Sequence, residues 1–299
     1  MKSNFKIKIS RVILSIIILS GLVSCEQEIV SEIPKSNKLI CLNGIFSPDS
    51  ILKLNLTQTT GINEKDSLIY IKNADVEVLE NNNFFCSLQY ITNGNYETGE
   101  IKPKQGNSYK VIVSIDGQVK VFSTVFIEKR PEITSIDTIK EIFIDIQEKY
   151  WLFKLGLKDS ENYSNYYFVN VYVVENKYNN KALNDTVEVP ILLSNQFDDT
   201  GGALKGGILN DNQFDGKTIG VEFAISDTYL KGKNEVIICI SAVSEDYYKH
   251  ILSYCRYEVN KKNWGDFSGS VSVFSNIDGG TGILGSQSTS EKIIVLTTK

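Results

Sequence analysis

Residues 109–121 read Tyr109-Lys110-Val111-Ile112-Val113-Ser114-Ile115-Asp116-Gly117-Gln118-Val119-Lys120-Val121. Tyr109, Val111, Val113 and Ile115 fall on every second position, the period at which strand side chains alternate between faces. Asp116-Gly117 supplies two residues that tolerate the positive φ of a tight hairpin turn, and Val119, Val121 and then Val125 to Ile127 bring the chain back as strand. This hairpin sets the class as antiparallel, half-buried β structure. Working outward, Leu52, Leu54 and Leu56 alternate with Lys53, Asn55 and Thr57, and Ala74, Val76 and Val78 with Asp75 and Glu77.

Residues 38–130 therefore read as a small β-sandwich. Gly94-Asn95-Tyr96 followed by Tyr109-Lys110-Val111 resembles the turn-and-strand pattern of immunoglobulin-like or transthyretin-like modules of bacterial surface proteins. Pro131, after Glu128-Lys129-Arg130, stops a ladder, and the domain boundary is expected there. Residues 131–299 read as a second, larger β-sandwich or barrel-like domain. Its strands are expected over 166–174, 188–193, 221–225, 236–243, 271–274 and 293–296, several of them buried on both faces. One packed helix is expected near 244–257, with Ser244 as cap, Glu245 and Asp246 in the first turn, and Tyr247, Ile251, Tyr254 and Cys255 on one face.

The amino terminus carries a different signal. Lys2, Lys6, Lys8 and Arg11 precede an apolar run from Val12 to Val23, too short for the roughly 20 residues of a spanning helix. Leu22-Val23-Ser24-Cys25 is a lipobox. Residues 1–24 are thus expected to be a signal peptide, Cys25 the lipidated first residue, and residues 25–37 a lipidated polar tether. Several acyl chains, each CH₂ contributing about 0.8 kcal/mol, hold a protein to a membrane without a spanning helix. The early acids Glu26, Glu28 and Glu32 resemble the export tags of lipoproteins carried to the outer leaflet of the outer membrane.

Removing the four basic residues of the leader leaves 27 Lys and Arg against 36 Asp and Glu, a net charge of −9. That balance argues against nucleic acid or anionic lipid as partner. Cys41, Cys86, Cys239 and Cys255 remain after Cys25. An even number in an exported chain allows two disulfides, Cys239 with Cys255 and Cys41 with Cys86 by proximity, while their apolar surroundings suit buried free thiols equally well.

A search for chemistry returns little. His250 is the only histidine and lies in the expected helix, which weighs against zinc sites and histidine-dependent hydrolases. A carboxylate-pair hydrolase needs only Asp and Glu and stays open. Gly280-Thr281-Gly282-Ile283-Leu284-Gly285 has the letters of a dinucleotide fingerprint but no room for the helix that must follow it, so the glycines read as a tight loop. Asp211, Gln213, Asp215, Gly216 and Glu222 stand at positions 1, 3, 5, 6 and 12 of a calcium loop. With Gln213 in place of an acid and Glu222 in a strand pattern, the expected reading is an Asp-Gly turn, and neither metal nor cofactor is expected. Tyr163, Tyr166, Tyr167 and Tyr172, with Phe168 among them, form an aromatic group suited to an interface or to sheet packing.

Three segments in order, Phe214-Asp215-Gly216-Lys217-Thr218, Glu245-Asp246-Tyr247-Tyr248 and Phe274-Ser275-Asn276-Ile277-Asp278-Gly279-Gly280-Thr281-Gly282-Ile283-Leu284-Gly285, resemble the domain of unknown function 4249 lipoproteins of Gram-negative bacteria. The chain departs from that pattern at Leu284, where an aromatic is usual, and at Asn263-Trp264-Gly265-Asp266-Phe267, where Asp-Pro-Phe is usual. The resemblance implies an outer-membrane lipoprotein of a kind often encoded beside a TonB-dependent transporter, and it carries over no catalytic residue. The resulting expectation is a non-enzymatic accessory or capture subunit of such a transporter, lipid-anchored at the cell surface, with an outer-membrane barrel protein as partner. The alternatives are a structural subunit of an outer-membrane assembly or export machine, and a carboxylate-dependent surface hydrolase.

Overall fold

The computed structural model describes residues 38–61, 68–143, 148–161, 163–175, 185–233, 235–262 and 271–296. The signal peptide, Cys25, the tether and residues 263–267 lie outside the described residues. The protein is mainly β and sandwich-like, and residues 38–299 form one compact unit.

The first eight strands are β1 (Ile40–Phe46), β2 (Lys53–Gln58), β3 (Ile69–Tyr70), β4 (Asp75–Glu80), β5 (Asn83–Thr92), β6 (Asn95–Glu97), β7 (Ser108–Ile115) and β8 (Gln118–Phe126). The β7–β8 hairpin turns on Asp116 and Gly117, at φ of 52° and 72°. Its inward residues Tyr109, Val111, Val113, Val121 and Val125 are buried with Leu42, Leu52, Leu54 and Leu56. Phe46 and Phe85 present edges to the Tyr109 ring.

The later elements are β9 (Glu132–Phe143), β10 (Lys149–Lys158), β11 (Tyr166–Glu175), β12 (Asp185–Val189), β13 (Leu192–Leu193), β14 (Gly207–Asn210), β15 (Thr218–Ser226), α1 (Asp227–Leu230), β16 (Glu235–Val243), α2 (Glu245–Lys262) and β17 (Thr281–Val295). A four-stranded sheet, in the order β13-β15-β10-β9, faces the β11–β16 part of a larger sheet. Between them lies a second core in which Phe153 stacks on Phe223 at 5.6 Å. The strand expected over 188–193 is interrupted around Pro190, which cannot donate to a ladder. No strand forms over 271–274.

The larger sheet runs β12-β11-β16-β17-β1-β2-β6-β5-β4-β7-β8 and continues across both cores through β17. The first part of β17 pairs parallel with β1, from Cys41 opposite Thr281 to Phe46 opposite Ser286. The rest pairs antiparallel with β16, from Val243 opposite Gln287 to Glu235 opposite Val295. Ile277 and Leu284 thereby complete the first core, although they lie far beyond Pro131 in the chain. This corrects the reading of Gly280–Gly285 as a tight loop, since Thr281–Gly285 is strand. The glycines are there for close approach. A Cβ on Gly282, whose φ is 112°, would stand 2.2 Å from the Leu42 carbonyl oxygen, and one on Gly285 would stand 2.7 Å from Cβ of Tyr247 on α2.

The crossing from β8 to β9 runs alongside β17. The hydroxyls of Ser286, Ser288 and Ser290 donate to the carbonyls of Phe126 at 2.7 Å, Glu128 at 2.6 Å and Pro131 at 2.6 Å. Their spacing is the strand period, so one face of β17 meets the carbonyls of Phe126, Glu128 and Pro131 in turn. Helix α2 covers the other side, burying Tyr248, Ile251 and Cys255 against Ile208 and Val243. It extends past 257 to Lys262, with Lys261 and Lys262 at its negative end. Ser244 stands at the cap position expected, its carbonyl accepting from the Tyr248 amide at 3.0 Å, while its hydroxyl accepts from the Ser286 amide at 3.1 Å.

Candidate functional site

A cleft of about 760 Å³ opens where the β8–β9 crossing meets the second core. Phe126 ends β8, Glu128 lies in the crossing, Asp159 follows β10, Tyr163 and Asn165 sit in the β10–β11 loop, and Tyr167 starts up β11. Tyr167 forms the floor because β11 alternates: Tyr167, Val169 and Val171 enter the core, while Tyr166 and Tyr172 face the other way.

The Tyr167 hydroxyl donates to Asp159, and the Gly216 amide donates to the other oxygen of that carboxylate at 2.8 Å. Burial nevertheless raises the Asp159 pKa, outweighing these donors, and burial raises that of Tyr167 strongly as well. Asp211 is equally enclosed and accepts from the Asn165 amide at 2.7 Å. The Asn165 side chain also donates to the carbonyls of Ser160 at 3.1 Å and Tyr163 at 2.8 Å, so the loop carrying Tyr163 is tied to itself.

Asp159, Asp211 and Asp215 bring one carboxylate oxygen each within 4.8 Å of one another. Two members of the expected calcium pattern, Asp211 and Asp215, are in this group; Glu222 is not, and Gln213 is exposed. Glu222 lies on the outer face of β15 and pairs with Lys154 at 3.0 Å, because the strand has begun at Thr218 where a calcium loop would lead into a helix. Asp159, which no local motif marks, takes the third place from another part of the chain. The group offers three carboxylates, and protein donors hold Asp159 and Asp211 in place.

Glu128 differs from these acids. Its backbone is held by Ser288, yet among the described residues its half-buried carboxylate has neither hydrogen bond nor ion pair, and burial holds its pKa above the ordinary range. Two neighbouring cations are committed elsewhere, Arg130 to Asp49 and Lys158 to Glu132 at 3.2 Å. Lys129 is exposed at the rim.

The remaining residues singled out in the sequence are dispersed. Tyr163 is 75% exposed at the cleft rim, whereas Tyr166 lies against the Tyr248 ring at 4.6 Å and Tyr172 is half-buried, so the four tyrosines do not share one surface. Cys41, Cys86, Cys239 and Cys255 are free thiols. His250 Nδ1 lies 2.7 Å from the Phe274 carbonyl oxygen and does not line the cleft. No helix among the described residues is long and apolar enough to cross a membrane.

No curated protein matches the chain at a significant level. Among solved structures, similarity is found to a β-glucuronidase from glycoside hydrolase family 2, at 10% identity and a TM-score of 0.22, covering 69% of this chain and 19% of that one. A putative membrane anchored protein from Corynebacterium diphtheriae matches at 12% identity and a TM-score of 0.21, covering 70% of this chain and 55% of that one. The chain thus spans about a fifth and just over half of the lengths of these two proteins. Residues 26–293 match the family described as Domain of unknown function (DUF4249), and the chain belongs to that family.

Proposed function

We propose that this protein is a non-enzymatic lipoprotein of the outer membrane, held at the cell surface through Cys25, and that it serves a TonB-dependent transporter as an accessory or capture subunit. The observation that carries the reading is the adjacency of lipobox and family region. Leu22-Val23-Ser24-Cys25 ends one residue before the family match begins at residue 26, so the lipobox and the family region follow one another directly. The stretch between Cys25 and Lys38 spans at most roughly 40 Å when extended, enough to bring the module to the rim of a barrel.

A capture role is supported by the cleft, which is roomy, lined by both aromatic and charged side chains, and built on a loop tied by Asn165. A non-catalytic role is supported by the engagement of its most buried acids: Asp159 is held by Tyr167 and Gly216, and Asp211 by Asn165, rather than poised on opposite sides of an open space. The anchor is tested by incorporation of an alkyne-tagged palmitate, expected in the wild type and lost in Cys25→Ala. The partner is tested by copurification from native membranes in mild detergent.

A further inference from the structure

We propose that the cleft takes a cationic organic group, an ammonium or guanidinium at the end of an aliphatic stem, with the Glu128 carboxylate as its counter-ion. This deepens the capture reading and rests on it for its purpose. The binding itself belongs to the isolated protein.

A half-buried ionised carboxylate is normally paired, because leaving it dry and unpartnered costs free energy. The backbone that carries Glu128 is fixed, since Ser286, Ser288 and Ser290 hold the carbonyls of Phe126, Glu128 and Pro131. Among the described residues no group hydrogen-bonds or ion-pairs with this carboxylate, and the neighbouring Lys129 is exposed at the rim. The Tyr167 hydroxyl is committed to Asp159, Arg130 to Asp49 and Lys158 to Glu132. The buried acid behind Tyr167 adds negative potential to the floor, which favours a cation entering from outside.

The walls suit the rest of such a ligand. Phe126, 45% exposed, and Ala242 offer apolar surface for an alkyl stem. Tyr163 at the rim offers an aromatic ring to a cation or to a flanking backbone. A bare divalent ion fits less well, since it seeks several converging oxygens and Glu128 supplies a single carboxylate.

The test is calorimetric titration of the full mature lipoprotein in mild detergent with Nα-acetyl-lysine methylamide, Nα-acetyl-arginine methylamide, the uncharged Nα-acetyl-norleucine methylamide and calcium chloride. A cationic probe is expected to bind at least about tenfold more tightly than the norleucine one. Glu128→Gln should abolish that preference and Glu128→Asp, which keeps the charge, should retain part of it. Equal affinity for charged and uncharged probes, a preference that survives Glu128→Gln, or binding of calcium alone overturns the proposal. Because no transporter is present in the titration, its failure leaves the partner reading to be judged separately.

Discussion

The hydroxyl of Ser288 donates to the carbonyl of Glu128 at 2.6 Å, joining residues 160 positions apart. Ser288 is fully buried, and with Ser286 and Ser290 it holds carbonyls at the end of β8 and along the crossing to β9. These bonds make the crossing between the two cores part of the fold rather than a free linker. Ser288→Ala leaves a carbonyl unsatisfied and is expected to cost about 1–3 kcal/mol by chemical denaturation. A loss within experimental error would show that this contact does not hold the crossing.

Gly282 is the second point at which the two halves depend on one backbone. A side chain there meets the Leu42 carbonyl, and the residue's φ of 112° is one that other residues rarely adopt. Gly282→Ala is expected to destabilise by roughly 3 kcal/mol or more. Because β1 and β17 are the pair affected, hydrogen exchange should quicken first at Cys41–Phe46.

Much of the first core was legible in the sequence because its strands alternate and its turns are short. Leu52, Leu54 and Leu56, and the Tyr109–Val121 hairpin, announce themselves over a dozen residues. The helix was legible over 244–257 and continues to Lys262 because nothing in Glu258–Lys262 breaks it. Of β17 only the end, within the expected strand over 293–296, was legible; the part from Thr281 was not. Its glycines lower strand propensity, and the need for them arises from Leu42 and Tyr247, distant in sequence. Asp159 went unmarked for the same reason: its partners Gly216 and Asp211 reach it only through the fold.

Glu128 gives a pH signature. Burial makes the folded protein hold this proton more tightly than the unfolded chain does. Between the ordinary glutamate value of about 4.3 and the raised folded value, its contribution to stability therefore falls as pH rises, and it stays low above that window. Glu128→Gln should be the more stable protein at pH 7, with the difference closing as pH approaches about 4. Denaturation curves at the two pH values check this, and a variant less stable at pH 7 would contradict it. Stability gained where binding is lost is the usual signature of a functional residue.

The thiols supply another check. Cys86 and Cys255 are buried, and burial pushes the Cys86 thiol up to about 11 and raises that of Cys255. At pH 8 on the order of a thousandth of Cys86 is thiolate, the reactive form. Native protein treated with iodoacetamide should leave both unmodified over the time in which the denatured, unreduced chain labels at all four positions. Failure of the denatured chain to label without reductant would reveal a disulfide.

The partnership at the outer membrane is tested with a tagged copy isolated from native membranes in mild detergent, its partners identified by mass spectrometry and Cys25→Ala as control. A TonB-dependent transporter is expected as the dominant partner of the wild type and is expected to be lost in the control. Copurification with assembly or export factors instead, or with no outer-membrane protein at all, would contradict it.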